Sequence, residues 1–478
     1  MSELAQKATP SNASNDGTAW PPSWETMPHG IRVGRYTDPA FAQLEYEKLW
    51  SRVWQAAARL DEIPRVGDFT VYEIGDQSVL IVRADAQTVK AYHNVCPHRG
   101  TSLADVPQGH FENSHVICPF HGWRWDLHGN NEFVLERQEF RGGKLQNSDV
   151  HLREVHLVVF AGFVFINLDR NPQPFDDFIA PVRERLENLA IGEMHNYWWK
   201  ALPVPSNWKV AQEAFFEGYH VPATHPQLEP HSADFIYKPT PDAKPDFNHW
   251  NVEYEVYERG HGRFYGKKTP MKGNVRAAAG VGGPSTDDMI EAMAARLNLL
   301  AVGMDAQVLP EDIEVVRSLK GKPIPEGSSL GAEYVKALYT RAAQQKRPMP
   351  PPTPENIGMW GGEIFIFPNL MILPQAGNAM MYRVRPDGND PDKCIFEIFS
   401  TKTYPADAAV PRATVQVVTD LDDPEQVLQI PRQDLGNIPR MQKGLHSKGI
   451  RQTWLAVEQE KIILNMHREL DRYLRDEV

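Results

Sequence analysis

The chain has 478 residues, of which 41% are hydrophobic and 23% are charged. These ordinary proportions exclude global disorder, collagen-like repeats and a coiled coil, and the length predicts two or three domains. A formal net charge of −12, from 50 Lys and Arg against 62 Asp and Glu, argues against nucleic acid or an anionic membrane surface as a partner.

The N-terminal part predicts an arm followed by one helix. Residues 1–24 are rich in Ser, Asn, Ala and Pro, and they lack the apolar stretch of a secretion signal. Residues 39–54 carry apolar side chains at helical spacing. We therefore expect residues 1–48 to form an arm and a helix that packs on the larger C-terminal body.

Residues 49–168 predict a small all-β domain. In residues 67–83, β-branched and aromatic residues alternate with polar ones around a Gly-Asp turn, as in a β-hairpin. Residues 155–168 predict two buried strands that break at Gly162. The apolar run within them, residues 157–166, is too short to span a membrane. Because the chain has three cysteines, which cannot all pair in disulfides, we expect a cytoplasmic protein.

Residues 169–478 predict a larger domain of mixed structure. Helical patterns cover residues 207–219, 286–304, 330–346 and 455–474. Residues 361–373, 379–384 and 394–401 predict strands of one sheet, whereas the proline-rich residues 347–354 predict an extended loop. The fold class of the whole chain is therefore predicted to be α+β.

The sharpest motif combines two cysteines with two histidines. The pair Cys96-x-His98 is separated by 19 residues from the pair Cys118-x-x-His121. Thiolate and imidazole at chelating spacing indicate a metal site, and such a set also suits structural zinc. In zinc fingers, however, the cysteines normally share one pair and the histidines the other, whereas each pair here is mixed.

The words CPHRG and CPFHGW resemble the Rieske family over residues 61–168. The resemblance implies a [2Fe–2S] cluster in which Cys96 and Cys118 hold one iron and His98 and His121 hold the other. Imidazole ligands would raise its potential to roughly −150 to +300 mV. The spacer is longer than in most of the family, and we expect the extra residues in the loop 107–115.

A second histidine pair, His220 and His225, lies in the stretch EGYHVPATHPQ. On an unbroken helix, these two side chains would point about 140° apart. Pro222 is predicted to end a helix that begins after an N-cap at Ser206, so that His225 can return toward the same ion. The two histidines alone leave a metal pair and an ordinary helix end equally open.

The stretch NWK followed by EGYHxxxxHP resembles the catalytic domain of Rieske non-haem iron ring-hydroxylating oxygenases, over residues 172–478. That resemblance implies a helix-grip fold, in which helices pack on an antiparallel sheet. It also implies a mononuclear iron held by His220, His225 and one carboxylate. The best match for the carboxylate is Asp434, and its competitors are Asp420, Asp422, Asp423 and Glu425.

Glu217 precedes His220 by three residues, on the same face of the predicted helix. In the family, this position is usually Asp, which bridges an iron-site histidine to a Rieske histidine of the neighbouring subunit. The resemblance therefore implies a bridging role for Glu217, through a side chain that is one methylene longer. A plain salt bridge is the alternative. Glu213 stands where the family often has Asn.

The resemblance implies the large (alpha) subunit of a terminal oxygenase. Such an enzyme hydroxylates a hydrophobic, aromatic or polycyclic substrate with dioxygen, by mono- or dioxygenation. No dinucleotide fingerprint and no four-cysteine ferredoxin motif appears, so electrons are expected from a separate ferredoxin or NAD(P)H-dependent reductase. The implied assembly is a homotrimer or an α3β3 hexamer. The alternative is a Rieske-type electron-transfer or zinc-stabilised ligand-binding protein.

Overall fold

The computed structural model describes residues 20–229, 236–237, 252–266 and 285–478. Most of the predicted N-terminal arm, residues 1–19, lies outside the described residues. The α-helices are Gly34–Thr37, Pro39–Glu45, Phe175–Asn188, Trp208–Glu213, Val221–Thr224, Thr286–Met304, Pro310–Arg317, Leu330–Gln344, Pro354–Gly358, Gln429–Leu445 and Lys461–Leu474. A π-helical turn, Tyr46–Trp50, continues the second of them.

A two-stranded antiparallel sheet, Thr26–Met27 with Gly30–Ile31, lies near the N-terminus, and the predicted all-β region contains three small antiparallel sheets. One has four strands, in the order Val89–His93, Gln77–Arg83, Asp68–Ile74 and Gln108–His110. The two others have three strands each: Asn131–Phe133, Arg124–Asp126 and His115–Ile117 form one, and His156–Phe160, Phe163–Asn167 and Gln55–Arg59 form the other. Both predicted strand pairs, at residues 67–83 and 155–168, are therefore present.

One eight-stranded sheet dominates the C-terminal part. Its strand order is Val252–Val256, Gly262–Gly266, Glu363–Ile366, Leu370–Pro374, Asn378–Pro386, Cys394–Lys402, His195–Val204 and Val415–Val417. All neighbouring strands are antiparallel except the last pair, which is parallel. The predicted α+β fold is confirmed, while the exact domain boundaries at residues 48 and 168 stay predictions.

Buried ion pairs connect the N-terminal helices to the C-terminal part. Arg35 Nη1 lies 2.6 Å from Oδ1 of Asp471, and Lys209 Nζ lies 2.6 Å from Oε1 of Glu45. One hydrophobic cluster continues from these helices through the sheet that contains Gln55–Arg59 into the eight-stranded sheet. Within the described residues, no helix is long and apolar enough to cross a membrane.

The segment that contains the second histidine pair differs from its prediction. The expected helix 207–219 ends at Glu213, and its N-cap is Asn207, whose side chain accepts from the N–H of Lys209. The prediction of Ser206 as the cap was wrong. Pro222 does not end a helix but lies in the first turn of the short helix Val221–Thr224, where a proline loses no hydrogen bond.

Candidate metal centres

The two loops that carry the Cys–His pairs have matching backbone hydrogen bonds. In the first loop, the N–H of Gly100 donates to the carbonyl oxygen of Cys96 (3.0 Å), and in the second, the N–H of Gly122 donates to that of Cys118 (3.0 Å). Each cysteine N–H donates to the carbonyl oxygen five residues later, at 2.8 Å in both loops. Both glycines have positive φ, 83° and 69°, which they adopt without strain.

The four predicted cluster ligands lie on these two loops. The thiols of Cys96 and Cys118 are buried and interact, and burial together with the neighbouring thiol raises the pKa of Cys96 to about 11. The rings of His98 and His121 are half-buried, with centroids 4.7 Å apart. A pair of thiols and a pair of imidazoles form the donor set of a two-iron cluster with different ligands on each iron. The residues therefore fit a Rieske cluster.

Aromatic side chains pack around one imidazole. The His98 ring stacks on Trp123, with centroids 4.7 Å apart and planes 8° from parallel. The Phe140 ring is nearly perpendicular to that of His98, with centroids 5.5 Å apart. Trp123 and the two cysteines belong to a second hydrophobic cluster that is separate from the main one. This packing holds His98 in place and limits the access of water to it.

Three side chains from two distant parts of the chain meet at one point. His220 and His225 flank the helix Val221–Thr224, and Asp434 lies on the helix Gln429–Leu445. One ligand atom from each lies within 4.8 Å of the other two. The Oδ1 atom of Asp434 is 2.9 Å from Nε2 of His225 and 3.6 Å from Nε2 of His220. Two imidazoles and one carboxylate form the set that binds non-haem Fe(II) while leaving positions open.

Hydrogen bonds on the far side of both rings orient these histidines. His220 donates from Nδ1 to Oε1 of Glu217 (3.0 Å), and His225 donates from Nδ1 to Oε1 of Gln433 (2.9 Å). The amides of Gln433 and Gln227 bond to each other, at 2.8 and 3.3 Å, which fixes the Gln433 oxygen toward the ring. With its proton on Nδ1, each ring presents the Nε2 lone pair to a metal.

Glu217 contacts His220 twice, but not from a helix. It lies in the irregular segment after Glu213, so the predicted shared helical face was wrong. Its second oxygen, Oε2, accepts from the backbone N–H of His220 (3.0 Å). Burial lowers the pKa of His220, but the hydrogen bond to Glu217 and the negative charges of Glu217 and Asp434 outweigh this effect. The pKa of His220 is therefore above its ordinary value. Glu217 therefore both orients this ring and favours its protonated Nδ1.

The competing carboxylates do not join this group. Asp420, Asp422, Asp423 and Glu425 lie in the irregular segment before the helix that carries Asp434. The sequence did not single out Gln433, although it directly precedes Asp434 in the chain. Its position beside Asp434 could have identified Gln433, because one turn of a helix can carry both a metal ligand and a residue that orients another ligand.

A buried polar network, which the sequence did not indicate, lies beside the histidine site. Oε2 of Glu213 accepts from the Tyr36 hydroxyl (2.9 Å), and its Oε1 lies 2.8 Å from Nε2 of His467. Arg35 Nε donates to Nδ1 of the same imidazole (3.0 Å), so His467 carries its proton on Nε2 and donates it to Glu213. Burial raises the pKa of Glu213 to about 8. Glu213 lines an open depression of about 540 Å³ with Glu217 and other residues.

Two protein families match the chain. The Rieske [2Fe-2S] domain matches residues 53–141, and the ring hydroxylating alpha subunit (catalytic domain) matches residues 191–299 and 319–476. The second match alone covers more than half of the chain. The chain belongs to the ring-hydroxylating alpha subunits. Its cofactors are accordingly a Rieske [2Fe–2S] cluster and a mononuclear iron.

Similar sequences include subunits with different substrates in their names. The glycine betaine monooxygenase oxygenase subunit of Chromohalobacter salexigens is 29% identical over 219 residues, 46% of this chain and 48% of that protein. The carnitine monooxygenase oxygenase subunit of Escherichia coli K12 is 30% identical over 194 residues (40% and 50%). The anthranilate 1,2-dioxygenase large subunit of Acinetobacter baylyi is 30% identical over 202 residues (41% and 42%). The alignments thus span about half of the length of these relatives.

Solved structures share the fold over most of the chain. A quaternary ammonium Rieske monooxygenase in complex with L-carnitine has a TM-score of 0.59 at 16% identity, and the match covers 93% of this chain and 97% of that one. Naphthalene 1,2-dioxygenase from a Rhodococcus species, bound to indole, has a TM-score of 0.60 at 18% identity (93% and 94%). At these identities, the likeness establishes the fold alone.

Proposed function

We propose that the chain is the terminal oxygenase component of a Rieske non-haem iron oxygenase. The observation that carries the proposal is the convergence of His220, His225 and Asp434 within 4.8 Å, with both rings oriented by hydrogen bonds from behind. When bound, the cluster and the mononuclear iron supply stored electrons and a coordination site for dioxygen. The protein's own contribution is to hold the ligands in one tautomer and to position the substrate.

In this proposal, Cys96, His98, Cys118 and His121 hold the cluster, and His220, His225 and Asp434 hold the iron. Glu217 is the residue that bridges the two centres across a subunit boundary. Two features support this arrangement. The cluster loops present half-buried imidazoles and the exposed Phe120. Glu217 and His220 line a depression whose rim includes Trp454, which is 78% exposed. Each surface therefore includes an exposed aromatic side chain, a residue type that is enriched at contacts between protein chains.

Electrons are proposed to come from a separate ferredoxin or NAD(P)H-dependent reductase, because the sequence contains neither a dinucleotide fingerprint nor a four-cysteine ferredoxin motif. The assembly is proposed to be a homotrimer or an α3β3 hexamer. An aromatic or polycyclic substrate stays a prediction. The names of similar proteins include anthranilate, but also glycine betaine and carnitine. A small cationic substrate is therefore a second candidate class.

Metal analysis separates the oxygenase from the zinc-stabilised binding protein. The purified holoprotein is expected to be brown, with acid-labile sulfide and about three irons per chain, two in the cluster and one mononuclear. Its EPR spectrum after reduction should be that of a histidine-ligated [2Fe–2S] centre. Colourless protein that contains zinc and no sulfide would overturn the proposal. The electron-transfer alternative predicts a normal cluster but no substrate-dependent dioxygen consumption when the reductase partners are supplied.

A further inference from the structure

Glu363 is a buried carboxyl group on the face of the eight-stranded sheet that lies toward the iron site. Tyr254, Phe264 and Glu363 stand directly opposite one another on three neighbouring strands, so their side chains share one face. Two residues further along, Phe365 lies on the same face, and its ring centroid is 4.2 Å from that of Phe216, the neighbour of Glu217. We call the surface formed by Tyr254, Phe264, Glu363 and Phe365 the iron-side face.

This face is connected to the loop between Glu217 and His220. The N–H of Gly218 donates to the hydroxyl oxygen of Tyr254 (3.1 Å). Glu363, however, is not one of the residues whose ligand atoms converge on the mononuclear site, and it is 1% exposed. It therefore lies beside the iron ligands without being one of them.

Neither carboxyl oxygen of Glu363 has a hydrogen-bond partner among the described residues. Buried carboxylates elsewhere in the chain are paired: Glu397 binds Arg383 at 2.7 and 2.8 Å, and Glu45 binds Lys209. A buried acid without a partner is unfavourable, and buried charges in proteins are normally paired or coordinate metals. The missing partner of Glu363 is therefore a positively charged or hydrogen-bonding group that none of the described residues supplies.

The surroundings of Glu363 favour a positive group that needs few hydrogen bonds. Among the described residues, the charged group that acts on it is Glu217, which is also negative. Its other neighbours on this side include the rings of Tyr254 and Phe264, whose centroids are 5.6 Å apart. Tyr382 is also near: burial, and then the charges of Asp434 and Glu363, raise the pKa of its hydroxyl group. Aromatic faces and a carboxylate together bind organic ammonium groups.

We propose that Glu363 is the anionic partner of a substituted ammonium cation, which the substrate carries onto the iron-side face. This inference rests on the proposed oxygenase function and assigns it a substrate class. The aromatic rings contact the alkyl groups of the cation, and the carboxylate neutralises its charge. A cation bound in this way has its N-alkyl carbons beside the iron site, where the reaction takes place.

The binding has a proton signature. Burial, and then the charge of Glu217, raise the pKa of Glu363 well above its ordinary range, so its surroundings favour the protonated form when no cation is bound. The groups that face it, Glu217, Tyr254 and Tyr382, provide no positive charge. A cation favours the ionised form, so binding releases about one proton and becomes tighter as the pH rises.

The experiment is isothermal titration calorimetry on the anaerobic, fully metal-loaded chain. One set of probes is choline, protonated N,N-dimethylethanolamine and the neutral carbon isostere 3,3-dimethylbutan-1-ol. The second set contains two larger molecules, the cation benzyltrimethylammonium and its neutral carbon isostere neopentylbenzene. The wild-type protein should bind the cation of at least one set at least about tenfold more tightly than its neutral isostere. Titrations in buffers of different ionisation enthalpy should give release of about one proton per cation. The ratio of the affinity for choline to the affinity for dimethylethanolamine distinguishes a preference for a quaternary ammonium group from one for a protonated tertiary ammonium group.

Three variants isolate the charge of Glu363. Glu363→Gln keeps the shape and should lose the preference for cations by about tenfold, together with the proton release. Glu363→Asp should retain part of both. The matched control is Glu62→Gln, which removes another buried carboxyl group from the region around Arg383, and it should leave the preference unchanged. Iron, sulfide and Tm measured for each variant establish that it is folded and loaded.

The inference is overturned if neither cation binds more tightly than its isostere, or if Glu363→Gln keeps the preference. Its failure is distinguishable from failure of the oxygenase proposal, because binding is measured without turnover. Oxygenation of neutral aromatic compounds by a protein without cation preference would overturn the cation site alone. A cation preference that depends on Glu363, in a protein that forms no oxygenated product, would overturn the oxygenase alone.

Discussion

Replacement of Glu217 by Gln should weaken iron binding and slow the reaction without affecting the cluster. The carboxylate accepts from Nδ1 and from the backbone N–H of His220, both at 3.0 Å, and it is 7% exposed. An amide offers one oxygen where two acceptors are needed, so its NH2 group would face one of these donors. The loss of one hydrogen bond to a buried charged group is worth about 1.5–3 kcal/mol. That corresponds to roughly 10- to 100-fold in iron affinity.

The assay is a competition titration of the mononuclear iron with a chelator, followed by single turnover at saturating iron. At saturation, Glu217→Gln should contain both metals and a reducible cluster, yet form product much more slowly than wild type. Glu460→Gln is the control, because Glu460 lines the same depression but bonds to the backbone N–H of Ala456. Wild-type iron affinity and wild-type single-turnover rate in Glu217→Gln would refute both the orienting and the bridging role.

Three further predictions follow from the two centres and the network beside them. Cys118→Ser should abolish the visible colour and the [2Fe–2S] EPR signal, because a hydroxyl is a harder and less acidic ligand than a thiol; a retained signal would remove Cys118 from the ligand set. His225→Ala should keep the cluster but lose about one iron per chain and all turnover, and normal product formation would contradict the site. Burial raises the pKa of Glu213 to about 8, so the folded protein keeps a proton that the unfolded chain releases at lower pH. The stability of the fold should therefore decrease as the pH rises toward 8. The Tm of wild type measured by scanning fluorimetry should therefore fall more between about pH 5 and 8 than that of Glu213→Gln, and parallel curves would contradict the raised pKa.

The sequence predicted the elements that depend on local pattern. The hairpin at residues 67–83 follows from alternation of apolar and polar side chains. The strands after residue 361 follow from short, nearly continuous apolar runs, which are typical of strands that are buried on both faces. The Cys–His pairs and the two histidines could be identified as candidate ligands because metal ligands need fixed spacing. Asp434 was found by resemblance to the family, and the structure places it beside both histidines.

What the sequence could not predict depends on contacts between distant segments. Gln433 meets His225 across 208 residues, and His467 meets Glu213 across 254. The helix after Asn207 ends early, at Glu213, so Glu217 reaches His220 from an irregular segment. Neither spacing nor helical periodicity contains that information. The sequence likewise could not show that Glu363 has no hydrogen-bond partner among the described residues, because only the folded sheet determines what lies opposite it.

A single turnover under labelled dioxygen tests directly whether the two metal centres together oxygenate a substrate. The metal-loaded chain is reduced stoichiometrically, separated from the reductant, and mixed with 18O2 and either a substituted ammonium compound or an aromatic one. We expect a product that contains 18O, formed with reoxidation of the cluster, and no product from the Asp434→Ala variant, which retains a reducible cluster. An oxygenated product formed equally by Asp434→Ala, or a wild-type cluster that never reoxidises in the presence of any of these compounds, would contradict this expectation.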